Sequence, residues 1–163
     1  MNAATLLSAR QCDLDATELV ARLFIGSAPA VHTDLKACGF DSIVLTAEEF
    51  QPRKCFGHVR VLHAGFADGP LDGRTLHVAR NAAEEVARRW MRGERVLVTC
   101  ALGRNRSGFV CALALMLLFG MSGREALHHV RSQRMGALTN PDFARFLASL
   151  RSAAHLQQLL GTC

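Results

Sequence analysis

Thirteen consecutive residues, Ser107 to Phe119 (SGFVCALALMLLF), carry no charge and are apolar nearly all round. A helix without a polar face has to be covered on every side, so this segment predicts a central helix, ended by Gly120, inside a layered fold. Just upstream, Arg95 to Thr99 (RVLVT) is a compact β-branched run of the kind buried in a sheet. Further short apolar runs, Arg22 to Ile25, Ser42 to Thr46 and Val59 to His63, read as strands. They alternate with helical stretches, which predicts an α/β class: a central, mostly parallel sheet flanked by helices.

The helical stretches have their own signals. Pro29 to Cys38 reads as a helix closed by Gly39. Leu76, Ala79, Ala83, Val86 and Trp90 fall on one helical face. Ser122-Gly-Arg-Glu125 is a capping box opening a helix that runs to about Arg134, and Asn140-Pro141 pairs an N-cap with proline at the first helical position. The helix that follows presents Phe143, Phe146, Leu147 and Leu150.

A chain of 163 residues, half of them apolar, suits one domain spanning 1–163. The longest apolar run, Phe109 to Phe119, falls short of the roughly 20 residues of a membrane span, and no signal peptide is evident at the N-terminus. Six cysteines (Cys12, Cys38, Cys55, Cys100, Cys111, Cys163) show neither CxxC pairs nor metal spacing, in a chain large enough to need no disulfide staples. That pattern fits a reducing, cytoplasmic setting. The net charge of +5 comes from 17 Arg and 2 Lys against 14 acids. It could steer acidic partners, or reflect a GC-rich genome. Without a basic cluster interleaved with aromatics, nucleic acid is disfavoured as a partner.

The segment Cys100-Ala-Leu-Gly-Arg-Asn-Arg-Ser-Gly108 joins the buried strand to the buried helix. An arginine six positions after a cysteine proves little, since chance supplies about half a match in such a chain. Adding Gly103 and the hydroxyl of Ser107 lowers the expectation below about one in a hundred. Each part has a chemical reason. A thiolate nucleophile needs stabilised negative charge, and a loop entering a helix N-terminus offers converging N–H groups that also bind phosphate. Ala101, Leu102, Gly103, Arg104 and Asn105 would form that cradle. Gly103 permits backbone angles costly for other residues, and Arg106 offers a planar fork to two phosphoryl oxygens. Ser107 is placed to hydrogen-bond the Cys100 sulfur and ease its departure from a thiophosphate. Arg104 either contacts substrate or is a solvated loop residue. Cys111 reads as a buried, inert cysteine.

These residues resemble the dual-specificity branch of the cysteine-based tyrosine phosphatase superfamily, whose loop is Cys-x5-Arg followed by Ser or Thr. The resemblance extends to Leu23-Phe-Ile-Gly-Ser27 and to Ala137-Leu-Thr-Asn-Pro-Asp-Phe143, where Asn140 would brace the catalytic loop. It implies a four- to five-stranded sheet of the phosphotyrosine phosphatase type, hydrolysis of phosphoproteins or other phosphate monoesters through phosphocysteine, and no metal or other cofactor. The mechanism also needs a general acid and base. Asp68, which lies 32 residues before Cys100 in His63-Ala-Gly-Phe-Ala-Asp-Gly-Pro70, holds the family's position for it. Asp72 suits an N-cap for the next helix better. One position departs from the family: Thr99 stands where histidine usually precedes the cysteine, and His63 is the nearest alternative.

Low-molecular-weight phosphatases carry the loop and acid in the opposite order, receptor-type enzymes need a larger domain, and rhodanese-like domains lack the upstream acid. Two alternatives stay open. The Asn-Arg-Ser-Gly ending and Arg104 also resemble members acting on phosphoinositides or RNA 5′-triphosphates, and a phospho-binding pseudophosphatase would keep the loop without turnover.

Overall fold

The computed structural model describes residues 12–53 and 56–160. Five strands form one sheet: β1 (Ala16–Val20), β2 (Leu23–Ser27), β3 (Ser42–Ala47), β4 (Arg60–Phe66) and β5 (Val96–Cys100). Their order is β1-β2-β5-β3-β4, with β1 antiparallel to β2 and every other pairing parallel. The helices are α1 (Gly73–Met91), α2 (Arg106–Phe119), α3 (Gly123–Gln133), α4 (Pro141–Ser149) and α5 (Ala153–Leu160). The α/β class and mostly parallel sheet are therefore as the sequence patterning implies.

Alternation along the central strands explains the layers. Val44, Val96 and Val98 face the helices, whereas Ile43, Leu45 and Leu97 point to the opposite side, where Leu35, Phe40 and Phe56 cover them. All of β5 is buried. From Arg106 to Met116, α2 is buried at every position, because α1, α3, the sheet and the C-terminal helices surround it. Phe109 stacks on Phe143 with centroids 4.6 Å apart, which fixes α4 and hence Asn140 against the start of α2.

Two expectations fail. Residues 29–38 form turns rather than a helix. Asp34 caps a single turn, accepting the Ala37 N–H with its carboxylate and the Cys38 N–H with its carbonyl, and Gly39, at φ 84°, closes that turn and leads the chain into β3. Leu35 gains its burial from this compact turn. The cysteines are also not all unpaired: Cys12 and Cys38 are joined by a disulfide that fastens the segment before β1 to this turn. The expectation was drawn from linear spacing, but the fold brings together residues 26 positions apart. Cys55 and Cys163 lie outside the described residues. Among the described residues, no helix is long and apolar enough to cross a membrane.

Candidate active site

The strand, loop and helix around Cys100 meet at the C-terminal end of the parallel strands, the end at which open α/β sheets bind ligands. Ser27 of β2 lies in register with Cys100, so the first loop of the fold abuts the cysteine loop. Gly103 is required there twice over. Its φ is +61°, and a Cβ would fall 2.3 Å from the Gly26 carbonyl carbon and 2.6 Å from the Ser27 nitrogen. No side chain fits without displacing β2.

Within the loop, Cys100 is buried and its Sγ lies 3.2 Å from Ser107 Oγ, while the Arg104 N–H donates to it at 3.4 Å. Burial pushes the thiol pKa up. The Ser107 hydroxyl and N–H, the Arg104 N–H and the Arg106 charge together outweigh burial and hold it below the usual cysteine value. At the head of α2, Asn105 occupies the cap position without a side-chain cap bond, so the first-turn N–H groups are left to an anion. Thr99 does not support the loop. Its hydroxyl donates to the Val44 carbonyl at 3.3 Å, and its own carbonyl accepts from Thr46 Oγ1, so both groups tie β5 to β3.

Arg106 is buried beside the thiol. Its Nη1 and Nη2 donate to the two Glu49 carboxylate oxygens at 2.6 Å each, and Nη1 also reaches the Phe66 carbonyl at 3.2 Å. The guanidinium bond holds the Glu49 carboxyl down at about 2. Arg106 Nε is buried without a partner among the described residues. A buried donor left unpaired costs about 1–3 kcal/mol, a penalty an anion's oxygen would relieve.

A second arginine shapes the loop from outside. Arg134, at the end of α3, forms a two-pronged ion pair with Asp15 at 2.6 Å, and also donates from Nε to the Gly103 carbonyl and from Nη2 to the Leu102 carbonyl. Pulling these carbonyls toward Arg134 orients the peptide units of the loop.

Asp68 is held by two amides: Asn105 Nδ2 donates to Oδ2 at 3.0 Å and Asn140 Nδ2 to Oδ1 at 2.9 Å. The same asparagines are joined, since Asn105 Oδ1 accepts from the Asn140 N–H, and Asn140 Oδ1 caps α4. The aspartate thus shares one hydrogen-bond network with the loop. Asp72, the weaker candidate, caps α1 by accepting the Thr75 N–H at 2.7 Å. His63 Nδ1 pairs with Gln51 Oε1 and takes no part in this network. Cys111 is buried in α2, and burial drives its thiol pKa far up.

The sequence reading missed Glu49, Arg134 and Asp15. Glu49 had a usable signal, since a carboxylate in the connection after β3 must lie at the ligand-binding end of the sheet. The Asp15–Arg134 pair spans 119 positions and had none. Among the described residues, no cluster of three or more His, Cys, Asp or Glu side chains is arranged for a metal ion.

Residues 23–153 match the profile of the dual specificity phosphatase catalytic domain. A search among curated proteins finds no match. Among solved structures, Tk-PTP in its active form is similar at 26% identity with a TM-score of 0.71, over 91% of this chain and 98% of that one. A mouse putative dual specificity phosphatase, complexed with zinc tungstate, aligns at 25% identity and a TM-score of 0.74 over 94% of each chain. Human DUSP28 aligns at 25% identity and 0.71 over 90% of this chain and 99% of its own.

Proposed function

The chain belongs to the dual specificity phosphatase family, and on that premise we propose that it hydrolyses phosphate monoesters in proteins, phosphotyrosine with phosphoserine and phosphothreonine besides. The reaction would run through a phosphocysteine on Cys100, with Asp68 as general acid and then base. One observation carries this reading: a thiol held below its ordinary pKa sits in a loop where Arg106 Nε, a buried donor, has no partner among the described residues. Both features favour an anion bound against the sulfur.

In the first step the Cys100 thiolate attacks phosphorus, the bond to the leaving oxygen breaks, and Asp68 gives that oxygen its proton. Arg106 and the N–H groups of residues 101–106 carry the charge of the transferring phosphoryl group. In the second step water attacks the phosphocysteine, its proton passes to the Asp68 carboxylate, and sulfur leaves as a thiolate hydrogen-bonded by Ser107. Glu49 and Arg134 are positioning residues, the one aligning Arg106 and the other the loop carbonyls.

The test is hydrolysis of p-nitrophenyl phosphate between about pH 5 and 7, where a thiolate and a protonated carboxylic acid coexist. Cys100→Ser is expected to abolish turnover, and Asp68→Ala to slow it strongly while inorganic vanadate still binds. Turnover that survives in Cys100→Ser would overturn the proposal. Turnover retained in Asp68→Ala but lost in Asp72→Ala would move the acid to Asp72.

A further inference from the structure

Two cavities flank the cysteine loop, and their charges differ. On the Asp68 side a cavity of about 470 Å³ runs along Asn105, Asn140 and Asp142. It holds two carboxylates, and none of its lining residues is a cation. On the other side a cavity of about 570 Å³ runs from Ala101, Leu102 and Arg104 across Asp15 and Arg134 to Met135. Because it shares three residues with the loop, a group seated in it lies one or two residues along a chain from the phosphoryl group.

The cations around the loop are unequally engaged. Arg106 is neutralised by Glu49, and Arg134 by Asp15. The Arg104 guanidinium has no ion pair or side-chain hydrogen bond among the described residues. It lies along Gly136, where a Cβ would come within 3.6 Å of its Cζ. Beside it, in the same cavity, are two of the most exposed large apolar side chains of the protein, Leu102 at 65% and Met135 at 91%.

We propose that the Arg104 cavity is a specificity subsite for an acidic side chain, Asp or Glu, carried next to the phosphorylated residue of a peptide substrate, with Leu102 and Met135 contacting its methylene stem. This rests on the phosphatase reading above. Arg104, which feels the Asp15 charge but forms no ion pair with it, matches one carboxylate. A polyphosphorylated inositol or a 5′-triphosphate needs several cations, and here carboxylates already neutralise two of the three arginines around the loop. The opposite flank, whose lining residues include no cation, offers the same acidic residue no partner. Substrate therefore binds in one direction, its acidic side over Arg104.

Phosphotyrosine peptides that differ only in Glu, Gln or Lys before or after the phosphorylated residue test this. Glu on one side, and on that side alone, is expected to raise kcat/KM about two- to fivefold over Gln at low ionic strength, with the gain shrinking as salt screens it. Arg104→Glu should reverse the order and favour Lys. The subsite is overturned if wild type ignores flanking charge, if Arg104→Glu keeps the wild-type preference, or if phosphatidylinositol phosphate vesicles outcompete every peptide. Binding of the same peptides to Cys100→Ser, read by fluorescence anisotropy, separates the two claims. Charge-ordered binding without wild-type turnover keeps the subsite and removes the enzyme, whereas turnover without charge order does the reverse.

Discussion

At the scale of single residues, the reactivity of Cys100 is a contest that burial loses. Ser107 is the foremost of the groups that outweigh burial. Ser107→Ala is accordingly expected to raise the thiol pKa, read as an upward shift in the pH dependence of iodoacetamide labelling, and to slow phosphocysteine breakdown, read as a larger p-nitrophenol burst. An unshifted labelling curve would assign the activation elsewhere. Glu49 makes a second residue-level prediction. Its carboxyl is depressed from 4.5 to about 2, so the stabilisation it gives the fold is present above 4.5 and is lost as pH falls toward 2. Glu49→Gln should flatten the loss of stability across that window in urea titrations, and should weaken vanadate binding by leaving Arg106 less well aligned. Half of Glu49 is exposed, so the stability effect is small.

At the scale of elements, the site is assembled by packing as much as by polar bonds. Asn140 caps α4 and holds Asp68, so Asn140→Ala combines a cap loss of about 1 kcal/mol with a displaced aspartate. Its kcat is expected to fall further than that of Phe146→Ala, which disturbs α4 without touching the network. Phe143 is fully buried against Phe109, and Phe143→Ala should cost about 3–5 kcal/mol in urea unfolding. The elements that carry Cys100, Arg106 and Ser107 were legible in the sequence because burial leaves a plain pattern: a β-branched run and an apolar helix on either side of the loop. Caps were legible as well, since Asn140, Ser122 and Asp72 act on residues two or three positions away. Residues 29–38 were misread because Asp34, accepting the Ala37 and Cys38 N–H groups, opens a turn that Gly39 closes at once, a limit that apolar spacing does not register. β1 was overlooked because ATELV is short and half polar, and it becomes a strand only by pairing with β2.

At the scale of the whole molecule, the sheet order sets which distant residues converge. β5 lies between β2 and β3, so the cysteine loop is bounded by the Gly26–Ser27 backbone on one side and by the connection holding Glu49 on the other. Asp15 and Arg134 meet for the same reason, and their sequence distance kept them invisible before the fold was known. The Cys12–Cys38 bond fastens the segment that carries Asp15. Reduction of the native protein is therefore expected to lower its thermal midpoint and to loosen the Asp15–Arg134 clamp, which hydrogen exchange across 133–138 would register. Cys111, buried with a raised pKa, should label only on unfolding. The central claim is that phosphate passes through the sulfur of Cys100, and mass spectrometry of acid-quenched reactions tests it most directly. Asp68→Ala turning over p-nitrophenyl phosphate should accumulate one phosphoryl group on the peptide containing Cys100, absent in Cys100→Ser. Steady turnover with no phosphoryl group on that peptide, or with the group on another residue, would contradict the account.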